Sequence, residues 1–155
     1  MEAMLADARP NQADDGIAEL GDRILIQDLV NRYAHCIRNQ DVEGVLALFT
    51  EDATVDFDHS AVDNGGCKRG KAELRPVYAA GFRSMAPWPI MVNHIVDLDG
   101  PDRARGTVCI DLRQGALGYR VTWVGTYGDI YVKQDGSWKF QSRVTEVRHV
   151  ASTAG

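Results

Sequence analysis

Four residues of this sequence combine a reactive or charge-stabilising side chain with a helix- or strand-forming setting. His94 interrupts the β-forming run MVNHIVDLDG. An imidazole titrates near neutrality, so it can take a proton and return it. Bonded to a neighbouring carbonyl, the same residue is an ordinary core histidine. Arg143 lies in GSWKFQSRV. Facing a pocket, its guanidinium stabilises a leaving anion or a developing oxyanion; facing outward, it is a solvated charge. Tyr33, in RYAHCIRNQD, sits on the apolar side of a helical pattern. There a phenol offers a substrate oxygen one hydrogen bond and its ring adds apolar wall. Arg38, five residues on, can hold an anionic or phenolic oxygen. As a set, these residues suit proton removal coupled to stabilisation of developing negative charge.

A second group supplies surface for a hydrophobic or aromatic substrate. Trp88, Trp123, Tyr78, Tyr127, Phe82 and Met91 are aromatic or soft and apolar. Taken singly, each is also a plausible core residue. Asp58 shares a strand face with Asp56, and Asp111 shares one with Arg113. A carboxylate enclosed by apolar surface can act as a base, while a solvated edge strand is the plainer account of both pairs. His35, His59, His94 and His149 lack the short spacing of a metal-binding pair. NGGCKRGK is glycine-rich and basic but lacks the phosphate-loop spacing. The expectation is a site without metal or organic cofactor. Cys36, Cys67 and Cys109 are odd in number and unpaired in spacing, which argues against a disulfide framework.

The 155 residues suffice for one domain with a core of its own. A net charge of −5 with scattered Lys and Arg argues against nucleic-acid binding. No run approaches the roughly eighteen apolar residues of a membrane span. The opening MEAMLADARPNQADDG lacks the basic-then-apolar order of a secretion signal, and a cytoplasmic location is expected.

The elements that must position the site follow from periodicity. Apolar residues from Ile17 to Ile37 recur at three and four, a helical stripe through Ile26, Leu29 or Val30, Tyr33 and Ile37. NQDVEGVLALF predicts a short second helix capped by Asp41. ATVDFDHS predicts a strand. KAELRPVYAAGFRSM predicts a third helix with Pro76 in its first turn or at a kink. Strands are expected over 89–98, 104–113, 119–133 and 137–149, the last two joined by Asp135-Gly136, a hairpin signal. Residues 1–15 and 151–155 read as tails around a single domain at 16–150. Helices followed by antiparallel strands make an α+β layout, three N-terminal helices packed into a strongly curved sheet that leaves an apolar cavity. In GSWKFQSRV, alternation sets Trp138, Phe140 and Val144 on one face and Lys139, Gln141 and Arg143 on the other.

With these elements in place, the chain resembles the SnoaL-like group of the nuclear transport factor two-like fold, the cone-shaped α+β barrel. The likeness rests on IQDLVNRYAHCI, VEGVLALFTEDATVDF, NHIVDLDG and GTYGDIYVKQDGSWKF, and covers about residues 18–150. Similar members include scytalone and bile acid dehydratases, a dehydrochlorinase, polyketide cyclases and ketosteroid isomerase. The resemblance implies a cofactor-independent lyase or isomerase acting on a small hydrophobic, aromatic or polycyclic molecule. It implies His94 as general base, Arg143 as the pocket arginine and Tyr33 as the pocket tyrosine. Arg38 departs from it, because the dehydratase-type members carry an aspartate there that holds the histidine. Asp28, Asp58 or Asp111 would have to substitute, or Arg38 itself orients the substrate.

Two other classes remain open. One is a non-catalytic ligand binder or the small subunit of a ring-hydroxylating dioxygenase. The other is an epoxide hydrolase-like enzyme in which Asp111 or Asp58 activates water. A homodimer or homotrimer is expected, because the long strands leave an outer sheet face with Val121, Trp123 or their alternates to cover. A clean monomer by sedimentation at micromolar concentration would oppose that.

Overall fold

The apolar spacing of the first segment sets the architecture. Ile26, Leu29, Val30, Tyr33, Ala34 and Ile37 are all buried along one stripe of helix α1 (Gln12–Arg38). The computed structural model describes residues 12–63 and 65–152. The helix starts at Gln12, so residues 12–15 of the expected tail are helical. The remainder of that tail, Asn64 of the predicted turn and residues 153–155 lie outside the described residues.

Helix α2 (Val42–Ala47) starts where Asp41 accepts a hydrogen bond from the Gly44 amide at 2.8 Å, the expected cap. It leads directly into strand β1 (Phe49–Phe57). A short strand, β2 (Gly66–Arg69), pairs antiparallel with β1; nothing in its composition predicts it. Helix α3 (Gly70–Met85) buries Leu74, Tyr78 and Phe82, spaced four apart, and carries Pro76 in its second turn. Strands β3 (Pro87–Leu98), β4 (Arg103–Gln114), β5 (Arg120–Gln134) and β6 (Ser137–Val150) follow. Asp135 and Gly136 both have positive φ, 50° and 77°, as a two-residue turn between β5 and β6 requires.

The six strands form one sheet in the order β2-β1-β6-β5-β4-β3. Every pairing is antiparallel except β1 with β6. The three helices pack against this curved, mostly antiparallel sheet, α1 chiefly on β3 and α3 on β1, which is the α+β arrangement expected.

Two bulges decide which side chains face inward. In β3, Val92 pairs with Cys109 and Ile95 with Thr107, so Asn93 and His94 together oppose a single residue of β4. Asn93 adopts φ 54° there. In β6, Ser142 pairs with Ile130 but Phe140 with Tyr131, which leaves Gln141 as the extra residue. Simple alternation therefore fails across Gln141. Trp138, Phe140 and Arg143 are all buried, while Val144, expected beside Trp138, is 43 % exposed.

Candidate functional site

Strand β5 supplies the centre of the site. Its alternation turns Trp123, Tyr127, Asp129 and Tyr131 inward, and all four are buried. Across the β5–β6 ladder, Asp129 is the direct partner of Arg143. The two side chains form a bidentate pair: Nε donates to Oδ1 and Nη2 to Oδ2, each at 2.7 Å. Neither side chain is more than 1 % exposed.

The guanidinium lies 4.3 Å from the ring centre of Tyr33, 4.2 Å from Tyr127 and 4.3 Å from Phe140. Three ring faces thus replace the water an exposed arginine would have. Burial disfavours the charge, but the adjacent Asp129 carboxylate overrides it and holds Arg143 protonated well above its ordinary range. The carboxylate takes up Nε and Nη2. The remaining nitrogen, Nη1, is buried without a hydrogen-bond partner.

Arg143 reaches the wall of a cavity of about 70 Å³ between α1, α3 and the inner face of the sheet. Phe57, Phe82, Met85, Pro89 and Leu112 make up much of the apolar lining. The polar groups are few. The Tyr33 and Tyr78 hydroxyls stand 3.2 Å apart, one donating to the other. Tyr127 and Thr145 also line it, and so does Trp123, whose Nε1 is buried without a partner. Burial first, then neighbouring Tyr33, raises the Tyr78 and Tyr127 hydroxyls well above the usual phenol range, so both are protonated donors at neutral pH. Arg143 and Trp123 each hold a covered N–H donor without a partner beside this cavity, and a tyrosine pair stands on its otherwise apolar wall, a lining that suits a small apolar body with a hydrogen-bond-accepting oxygen.

The sequence-predicted residues divide over this site. Tyr33, Arg143, Trp123, Tyr127 and Phe82 line the cavity. His94 does not. It lies farther along β3, at the bulge and beside Tyr131, whereas the start of that strand contributes Pro87 and Pro89 to the lining. His94 Nε2 lies 3.0 Å from the Tyr131 hydroxyl, which donates to Asp129 Oδ2 at 2.8 Å. With the Tyr131 hydroxyl donating its hydrogen bond to Asp129, Nε2–H is the donor to Tyr131 and the lone pair of the neutral ring is on Nδ1. His94, expected as the general base, thus stands outside the cavity lining and contacts the ion pair only through Tyr131. Burial pushes its pKa below the ordinary imidazole value.

Arg38 also stands off the cavity. Its Nη2 donates to the Pro89 carbonyl at 3.2 Å and its guanidinium lies 5.2 Å from the Trp88 ring. Trp88 is 37 % exposed and Met91 lines a separate groove along α1. Asp58 is spent on a turn, accepting from the Ser60 amide and hydroxyl and from the Val147 amide. Asp28 pairs with Arg32 on the exposed face of α1, and Asp111 is exposed on β4. None of the carboxylates expected to meet His94 does so. The carboxylate that Arg143 meets, Asp129, is not among those expected, although Y-G-D-I-Y in GTYGDIYV alternates it onto one face with Tyr127 and Tyr131. Among the described residues, no three His, Cys, Asp or Glu side chains cluster as metal ligands, and no helix is long and apolar enough to cross a membrane.

The lowered pKa of His94 has a consequence for stability. Unfolded, the imidazole takes its proton near 6.5; folded, it does so only at lower pH. The unfolded chain therefore binds more protons as pH falls below about 6.5, and His94 costs stability there while costing none above. His94→Gln is expected to flatten the fall in Tm between pH 7 and 5.5. An unchanged pH slope would show that the ring titrates freely.

Gly81, on the α3 side of the cavity, gives a second expectation. A Cβ there would meet only the flexible Met85 Cε, at 3.1 Å. Gly81→Ala is expected to raise stability by about 0.5–1 kcal/mol through helix propensity, while weakening small-molecule binding by narrowing the cavity. A melt and a titration on the same sample check both signs.

Comparisons with known proteins agree with the fold. The SnoaL-like domain model matches residues 18–144. A variant of Rv3472, a protein of unknown function from Mycobacterium tuberculosis, superposes with a TM-score of 0.76 at 30% identity, over 91% of this chain and 78% of that one. A hexachlorocyclohexane dehydrochlorinase of the LinA type from Novosphingobium barchaimii gives 0.75 at 17% identity, over 90% and 95% of the two chains. A candidate scytalone dehydratase from Novosphingobium aromaticivorans gives 0.75 at 20%, over 90% and 93%. A search among curated proteins finds no match. The family match spans most of the chain and coincides with the helices and sheet that build the cavity: this protein belongs to the SnoaL-like domain family.

Proposed function

We propose that this protein is a cofactor-independent lyase or isomerase that binds a small, largely hydrophobic molecule in the cavity and polarises an oxygen on it through Arg143. The observation that carries this reading is the buried Nη1 of Arg143, left without a partner by the bidentate contact to Asp129. A preorganised cation in a water-poor setting stabilises an oxygen that gains negative charge, as in an enolate or a leaving group. In this reading Tyr33 and Tyr78, whose hydroxyls are 3.2 Å apart, complete the hydrogen bonding or deliver a proton to that oxygen. At about 70 Å³ the cavity is under half the roughly 150 Å³ of one that holds benzene, so a polycyclic ligand is disfavoured and a single-ring one needs the wall to give way, as at flexible Met85. Exposed Val92, Ile95 and Val144 on the sheet support a homo-oligomer.

A second reading, a binder without turnover, is favoured by one observation: the described lining holds no imidazole or carboxylate to remove a proton from carbon. Acetophenone separates the two. The enzyme reading expects its methyl protons to exchange with D2O faster in the presence of the protein, by NMR, and the acceleration to vanish in Arg143→Met. Saturable binding with no acceleration would select the binder.

A further inference from the structure

We infer that Asp129 is a specificity-determining residue that restricts the cavity to neutral oxygen acceptors and excludes carboxylates and other anions; this rests on the cavity being the ligand site. An unpaired buried arginine would be an anion trap. Here Arg143 is already neutralised, through two 2.7 Å contacts to one carboxylate, before any ligand enters. The pair has no net charge and no solvent, both side chains being at most 1 % exposed.

An anion bound at Nη1 would place two negative charges around one positive charge in an apolar setting. The second carboxylate would lose its hydration without a cation of its own. A ketone, aldehyde or phenol oxygen meets Nη1 with no such cost. It satisfies a donor that is otherwise buried and unpaired.

The surrounding groups do not change the count. The facing titratable side chains are Tyr33 from α1, Tyr78 from α3, and Tyr127 and Tyr131 from β5. Tyr131 donates a hydrogen bond to Asp129 and meets His94 from β3 behind it. None of these brings a second positive charge at neutral pH. Asp129 therefore acts on selectivity through Arg143, without touching the ligand.

The test is a matched pair of ligands of nearly the same shape, acetophenone and benzoate, titrated calorimetrically into the full chain at pH 7.5. Acetophenone is expected to bind at least tenfold more tightly than benzoate. In Asp129→Asn, which releases the charge of Arg143 and keeps the shape of its partner, the order is expected to reverse. Benzoate binding the native protein as tightly as acetophenone, or more so, would overturn the inference and leave the cavity reading standing. Failure of both to bind at millimolar concentration would overturn the two together. An unreversed order in that variant would likewise overturn the inference, and if Asp129→Asn does not fold, Asp129→Ser carries the same comparison.

Discussion

Arg143→Met is expected to lower the unfolding free energy by about 3–5 kcal/mol, because it strands a buried carboxylate. The side chain is one of the most deeply buried in the protein. Its removal leaves Asp129 with the Tyr131 hydroxyl as its remaining hydrogen-bond partner. It also removes the cation shared by Tyr33, Tyr127 and Phe140. Chemical denaturation of the single variant and of Arg143→Met with Asp129→Leu makes the cause visible. If the stranded charge is responsible, the double variant regains most of the stability, since a buried ion pair and an apolar pair of similar volume are often nearly equivalent. Any ligand it still binds is held by the apolar wall alone, because the charged donor to the ligand oxygen is gone. A single variant that loses less than about 1 kcal/mol would mean that Asp129 finds another partner or takes up a proton cheaply.

The second large effect concerns the frame that holds this pair. Gly125 sits on β5 where its register with β6 shifts, opposite Val147. A Cβ at that position would lie 2.1 Å from the Glu146 carbonyl oxygen and 3.1 Å from the Val147 Cα. Both obstacles are backbone, so no rotamer change relieves the contact. Gly125→Ala is expected to cost about 3 kcal/mol, the upper part of the range for overpacking. The strands must separate locally, and the same ladder sets Tyr127, Asp129 and Arg143. Binding should therefore weaken along with stability. A melting temperature within a degree or two of the native value would show that the ladder yields at little cost.

Much of the frame was legible in the sequence because its elements obey simple periods. The three-and-four spacing from Ile26 to Ile37 marks the buried stripe of α1, and Asp135-Gly136 marks the last hairpin. The cavity aromatics Tyr33, Phe82, Trp123 and Tyr127 were legible for the same reason, since an inward side chain on a periodic element is set by counting. What was not legible depends on bulges. One residue added at Gln141 moves Arg143 onto the buried face with Trp138 and Phe140, and one added at Asn93 sends His94 to Tyr131. A bulge is a pairing property of two strands, and neither Gln141 nor Asn93 announces it from its own neighbours. The partner of His94 was sought among Asp28, Asp58 and Asp111, and each of these is satisfied or exposed elsewhere. The β2 strand escaped because four residues, two of them charged, carry too little pattern.

Infrared spectroscopy reads the proposed contact between Arg143 Nη1 and a ligand oxygen on the bond concerned. Acetophenone bound to the native protein should show its carbonyl stretch at lower frequency than in hydrocarbon solvent, as a charged donor polarises the bond. In the Arg143→Met, Asp129→Leu double variant the shift should be absent. A bound carbonyl in the native protein at its hydrocarbon frequency would rule this contact out, because the ligand would then lie in the cavity without touching Arg143, the buried cation among the described lining residues.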